Sequence, residues 1–378
     1  MKNCLVTDYS QESLQDILIK DGKIEKVGKI LREDCQILDL RGKRVLPSFI
    51  DMHTHLRDPG FFQKETIETG LKAASKGGYT YVCAMGNTNP VADNIEVLQY
   101  VLKKAEELDI CDVRQASTIT LGLKGKEAVD FSSQRKYTDI FTDDGRNVDD
   151  DEIYIDALKN SIEHEFMIMD HCEDEVDMTK KHIDLIEKTG GRVHFCHTST
   201  KKAMKSIIEA KQKGLNVTVE VTPHHLFSHD NDYRVNPKIA TEEDRKYLIE
   251  AIKSGYIDAI ATDHAPHTSE DKENGAPGIS LIEVAFSMVW KIFKEENIDI
   301  KMLSKLMSFN PAKLLKLNQG SIEEGKDASL VVIDEDKLGR IDVNEFISKG
   351  KNNPFQGEEV LGEVIMTMKK GRIIYDNR

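Results

Sequence analysis

His53 and His55 stand two residues apart in Phe49-Ile-Asp-Met-His-Thr-His-Leu-Arg-Asp-Pro-Gly60. On an extended strand that spacing puts both imidazoles on one face, where two nitrogens can share a divalent metal. A pair of hydrogen-bonded core histidines is the plain alternative for this motif alone. Four further segments end in the same chemistry: Phe141-Thr-Asp-Asp-Gly145, Met169-Asp-His-Cys-Glu-Asp174, Phe195-Cys-His-Thr-Ser199 and Ala261-Thr-Asp-His-Ala-Pro-His267. Each has a local explanation when taken singly: a turn at Asp144-Gly145, satisfied polar side chains at His171 and His197, a helix cap at Asp263. Gathered around one axis, they would form the cage of imidazoles and carboxylates that a two-metal hydrolase requires.

The elements that must position these residues follow a regular plan. Short apolar runs at 47–55, 80–85, 112–120, 139–144, 165–172, 192–198, 216–222 and 258–263 alternate with helix-like stretches at 64–76, 95–108, 150–161, 201–213 and 242–254. Several of those stretches stop at Gly77, Gly214 or Gly255, as helix C-termini do. Eight such units across roughly 260 residues predict a TIM-like (β/α)8 barrel, whose active site opens at the C-terminal ends of its strands. The two ends of the chain have a different texture. Runs at 16–20, 23–27, 36–40 and 44–47, and again at 328–333, 360–368 and 372–375, read as strands separated by turns. They predict a small β-sandwich domain assembled from 1–48 and 315–378, around a catalytic barrel of 49–314.

Composition narrows the function classes. The 378 residues carry a formal charge of −14 with Lys and Arg dispersed, which argues against a nucleic-acid surface. No apolar run approaches the roughly 20 residues of a membrane span, and the N-terminus lacks signal-peptide features, so a cytoplasmic location is the default expectation. Six cysteines without a Cys-x-x-Cys pair fit buried thiols in a reducing compartment. Strand alternation predicts that Cys172 and Cys196, each next to a histidine of interest, pack in the core and face away from the site.

In this order, Asp51-Met-His-Thr-His-Leu-Arg57, Ala84-Met-Gly-Asn-Thr-Asn-Pro90, Thr142-Asp-Asp-Gly145, His171-Cys-Glu-Asp174, Cys196-His-Thr-Ser-Thr200, Glu220-Val-Thr-Pro-His-His-Leu226 and Ile260-Ala-Thr-Asp-His-Ala-Pro-His-Thr268 resemble the dihydroorotases of the amidohydrolase superfamily, in particular the class with a bridging aspartate. Ala328-Ser-Leu-Val331 and Lys351-Asn-Asn-Pro-Phe355 resemble that family's C-terminal β domain. The resemblance implies zinc-dependent, reversible hydrolysis of (S)-dihydroorotate to N-carbamoyl-L-aspartate, a step of pyrimidine biosynthesis. It implies two Zn2+ per subunit, with His53, His55 and Asp263 around one, His171 and His197 on the other, and Asp144 and a hydroxide bridging them. Asp143 is the alternative bridge within Asp-Asp-Gly. Asp263 would act as the general base, and Arg57, Asn87, Asn236 and His267 would hold the substrate's carboxylate, with Pro277 and Gly278 lining the pocket. A guanidinium suits that task because its donor fork matches a carboxylate.

The sequence departs from the family pattern in a short connection between His171 and His197, in Asn236-Pro-Lys-Ile239, and in the direct junction of Pro277 with Gly278. These departures touch substrate affinity more than metal binding. One rival reading is a hydantoinase, dihydropyrimidinase or allantoinase, which would carry a carboxylated lysine where Asp144 stands. A second is an inactive scaffold for aspartate transcarbamoylase, which would lack the ligands. A homodimer is the symmetry default.

Overall fold

The computed structural model describes residues 1–30 and 34–378. Eight parallel strands, Phe49–Thr54, Tyr79–Ala84, Asp112–Gln115, Ile140–Phe141, Met167–Asp170, Val193–Phe195, Val217–Val221 and Ala259–Ile260, correspond one for one to the predicted apolar runs. The first three form one sheet and the last five another. Single bridges from Ser117 to Phe141 and from Thr54 to His264 close the ring. Most of the strands are shorter than the apolar runs, and His55, Asp144, His171, His197 and Asp263 all lie just beyond their C-terminal ends.

Packing follows strand alternation. Ile50, Met52, Tyr81, Cys83, Met85, Ile140, Met167, Met169, Ala259 and Ala261 fill the barrel interior, and Ala312 and Leu315 join them. Phe49, Val82, Ile168, Phe195, Val219 and Ile260 point outward into the layer shared with the helices. Those helices begin where the sequence provides caps. Thr66 makes a reciprocal capping box with Thr69 before Ile67–Lys76, and Thr241 makes one with Asp244 before Glu242–Lys253. The connection between His171 and His197 holds one helix, Glu175–Thr189, which is enough for a single crossover.

The chain ends meet in a seven-stranded sheet ordered Arg372–Asp376, Glu359–Lys369, Leu330–Arg340, Arg44–Pro47, Cys4–Thr7, Glu12–Lys20 and Lys23–Gly28. The expected sandwich strands are thus hydrogen-bonded as one continuous sheet, and residues from six of them share one apolar cluster, among them Val6, Ile17, Ile24, Val45, Val332 and Met366. Two local expectations change. The 36–40 run is not a strand, since only Asp39 pairs, through a single bridge to Lys2. Its place in the sheet is taken by Cys4–Thr7, which pairs in parallel with Arg44–Pro47. The sheet is tied to the barrel's flank where the Lys369 ammonium lies 3.0 Å from Asp109 and 2.7 Å from Asp112.

Candidate metal centre and active site

The strand carrying His53 would, by simple alternation, send that ring outward, because Ile50 and Met52 already point into the barrel. Pairing with Tyr79–Ala84 shifts register between Asp51 and Thr54, inserting an extra residue that reverses the facing of the side chains beyond it. His53 therefore turns inward. Its Nε2 lies 3.2 Å from Asp144 Oδ1 and 3.7 Å from Asp263 Oδ1, buried and without a hydrogen-bond partner. His55 Nε2 lies 3.1 Å from Asp263 Oδ1 and 3.5 Å from Asp144 Oδ2. Ring nitrogens of His53 and His55 and a carboxylate oxygen of Asp263, atoms able to ligate a metal, all fall within 4.8 Å of one another, as do those of His53, Asp144 and His197.

Asp144 is the centre of this arrangement. Besides the first histidine pair, its carboxylate meets His171 Nδ1 at 3.3 Å and His197 Nε2 at 3.8 Å, and it accepts from Asn87 Nδ2 at 3.1 Å. His171 Nδ1 and His197 Nε2 are 2.8 Å apart. Burial opposes the negative charge on Asp144, yet the surrounding imidazoles hold its carboxyl well below the usual carboxylate range. Asp263 is held down in the same way, against burial, by His55 and His53. His53 is raised well above an ordinary histidine, since the attraction of Asp144 outweighs burial of the charged ring. Asp143 takes no part in the cage. It accepts the backbone N–H groups of Ile119 at 2.8 Å and Thr120 at 3.0 Å, and the Thr120 hydroxyl, which turns it towards the preceding loop.

A cavity of about 200 Å³ opens above the cage. Eleven of the twelve residues singled out from the sequence line it: His55, Arg57, Asn87, Asp144, His171, His197, Asn236, Asp263, His267, Pro277 and Gly278. His53 is the twelfth and lies beneath the floor. Arg57 donates to His267 Nε2 at 3.1 Å and to the Pro266 carbonyl at 3.2 Å. Burial, then the charges of Arg57 and Lys64, push His267 down to about 3. Asn236 donates to Glu173 at 3.0 Å and lies 3.3 Å from His171 Nε2, so it belongs to the rim on the imidazole side. Arg57, His197 and Asp263 all have positive φ, at 59°, 33° and 48°. Backbone held in that sparsely populated region is characteristic of sites whose side chains must be aimed. Larger depressions lie beside residues 230–241, at about 640 Å³, and near Gly190 and Gly214, at about 550 Å³. Neither gathers a cage of ligating side chains, so chemistry and not volume selects the site.

Three contributors escaped the sequence reading. Glu220 is fully buried behind His53, with its carboxyl pushed down to about 2 against burial by hydrogen bonds from His194 and His53. Asn352 accepts the His267 N–H at 2.8 Å and donates to the carbonyls of Ala265 at 3.0 Å and Gly278 at 3.1 Å, pinning the loop that carries three site residues. Lys64 lies 3.4 Å from His267 Nδ1 and pairs with Asp271 at 3.0 Å. Glu220 and Asn352 both lie in motifs already conspicuous in the sequence, but their partners are distant along the chain. One expectation is corrected. Cys172 does face away, 3.9 Å from His182 Nδ1 on the outer side, whereas Cys196 joins the barrel interior and approaches His53 and Glu220. The strand ends at Phe195 and His197 has φ of 33°, so strict alternation does not run through this pair.

A closed parallel barrel with imidazoles and carboxylates converging at its C-terminal mouth defines a metal-dependent hydrolase architecture. Residues 44–374 match the Amidohydrolase family, and the chain belongs to it. It is 43% identical over 392 residues to a dihydroorotase of Clostridium botulinum, covering 99% of this chain and 98% of that protein. It is 37% identical over 416 residues to a dihydroorotase of Aquifex aeolicus, again covering 99% and 98%. Among solved structures, the L-hydantoinase of Arthrobacter aurescens superposes with a TM-score of 0.90 at 22% identity, over 100% of this chain and 95% of that one. The dihydropyrimidinase of Brevibacillus agri gives 0.87 at 23%, over 100% and 94%. These structural likenesses establish the fold. Among the described residues no helix is long and apolar enough to cross a membrane.

Proposed function

We propose that this chain is a dihydroorotase, a hydrolase of cyclic amides that interconverts (S)-dihydroorotate and N-carbamoyl-L-aspartate in pyrimidine biosynthesis. One observation carries the reading: a cage of four imidazoles and two carboxylates directly underlies a cavity walled by Arg57, Asn87 and His267. The cage suits a metal pair because His53 Nε2 is a buried nitrogen with no partner, and because the donors are nitrogen and carboxylate oxygen. We assign it two Zn2+ ions, His53, His55 and Asp263 serving one, His171 and His197 the other, and Asp144 both. Such a pair supplies an activated water and polarises the amide carbonyl under attack.

The remaining work belongs to this chain's own side chains. Asp263, ionised at neutral pH and 3.1 Å from His55, is positioned to accept the proton of the attacking water and pass it to the departing ring nitrogen. In ring closure it returns that proton. Arg57 offers its guanidinium to the carboxylate that distinguishes dihydroorotate from a neutral ring, and neutral His267, whose Nε2 accepts from Arg57, aims that guanidinium and lines the same wall. Asn87 links the two halves of the site, since its amide meets both Asp144 and His55. Asn236, Pro277 and Gly278 complete the pocket.

The hydantoinase-like alternative has the fold in its favour, but Asp144 stands where that reading needs a modified lysine. The scaffold alternative requires missing ligands, and every position is filled. We further propose a division into a barrel of 49–314 and a sheet unit of 1–48 with 315–378, a cytoplasmic location and a homodimer. The test is a rate comparison of dihydroorotate, hydantoin, dihydrouracil and allantoin with zinc-loaded protein. Dihydroorotate is expected to lead; preference for a neutral ring overturns the assignment. Absence of turnover together with binding of aspartate transcarbamoylase favours the scaffold.

A further inference from the structure

We propose that Glu220 is a positioning residue of the metal centre, which holds His53 in the tautomer that leaves Nε2 free for the ion. Glu220 lies on Val217–Val221, completely buried. One carboxylate oxygen receives His53 Nδ1 at 2.9 Å and the His197 backbone N–H at 3.3 Å; the other receives His194 Nε2 at 3.0 Å. His194 is in turn fixed by a 2.8 Å contact between its Nδ1 and the Thr218 hydroxyl.

An ionised carboxylate only accepts hydrogen bonds, so His53 must carry its proton on Nδ1. In the neutral ring that a metal requires, the lone pair is then on Nε2, the nitrogen that faces Asp144 and Asp263 and has no other partner. With both oxygens engaged, the carboxylate cannot swing away. The same group also ties down the backbone of His197, so one buried charge sets the geometry of a ligand on each side of Asp144. A carboxylate behind a ligating imidazole raises its basicity, and losing it typically weakens metal affinity by about 10–100-fold.

The inference rests on the metal-site assignment above but not on the identity of the ring substrate, because its test uses zinc alone. Zinc affinity of the wild type and of Glu220→Gln is measured by competition with a chelator, alongside 15N NMR of the His53 imidazole in the zinc-loaded wild type. Gln fills the same space without the charge. Zinc binding is expected to weaken about 10–100-fold at the equivalent held by His53, with any loss at the other equivalent smaller because Glu220 reaches His197 only through its backbone N–H, and His53 is expected to show a proton on Nδ1 and coordination through Nε2. Two equivalents bound as tightly as in the wild type overturn the proposal, as does coordination through Nδ1. Should the variant fail to fold, the spectrum of the wild type decides.

Discussion

Gly60 lies where the loop bearing Arg57 touches the loop bearing Asn87. Its φ is +97°, and an added Cβ would fall on the Asn89 carbonyl oxygen and sit 2.6 Å from Asn89 Cβ. Asn89 N also donates to the Pro59 carbonyl at 3.1 Å, so the two loops are stitched together at this point. In Gly60→Ala the Cβ would come 2.0 Å from that carbonyl oxygen, so the loops cannot stay in place; an ordinary contact of 3.4 Å requires them to part by about 1.4 Å, and a displacement of about 1 Å in positioning residues already costs about 100-fold in rate. The left-handed backbone adds about 1–2 kcal/mol. We expect kcat/KM for dihydroorotate to fall about 10–100-fold, with the bound metal content unchanged from wild type and only a modest drop in thermal midpoint. Gly42→Ala is the control, because Gly42 has φ of +85° and nothing within 4 Å of an added Cβ. That variant should incur the backbone cost and keep wild-type kinetics. If Gly60→Ala matches it in both stability and kcat/KM, the close approach of the loops does not position the substrate's carboxylate.

Two further predictions concern the site directly. Asp263→Asn should keep its zinc, by metal analysis, and lose about 100- to 10,000-fold in kcat; full turnover would remove Asp263 from the proton transfer. His267, depressed to about 3, stays neutral in the fold while the unfolded chain protonates near the ordinary value of about 6.5. Its contribution to stability is thus fully present above about 6.5 and is lost as pH falls towards 3. Urea midpoints between pH 7 and pH 4 should decline less steeply in His267→Gln than in the wild type, and parallel declines would refute the shift.

The ligand types were readable from the chain because each sits at the end of a short apolar run, a local pattern that both strand period and barrel topology interpret in the same way. Thus His53, His55, His171, His197 and Asp263 needed no coordinates to become candidates, and the eight alternating units were enough to imply a barrel around them. Where each side chain aims is a different kind of information. His53 turns inward only because its strand gains a residue against its neighbour, and His197 joins Cys196 on the inner side only because the alternation fails at His197. The choice between Asp143 and Asp144 depends on which carboxylate the Ile119–Thr120 backbone captures. Glu220 reaches His53 across 167 positions, and Asn352 reaches His267 across 85. The residue run 36–40 keeps a single bridge, Asp39 to Lys2, while Cys4–Thr7 is the strand that pairs with Arg44–Pro47. Sequence pattern specifies what a residue can do and roughly which element bears it; register, bulges and long-range hydrogen bonds arise only when segments distant along the chain pair, and they decide what each residue faces.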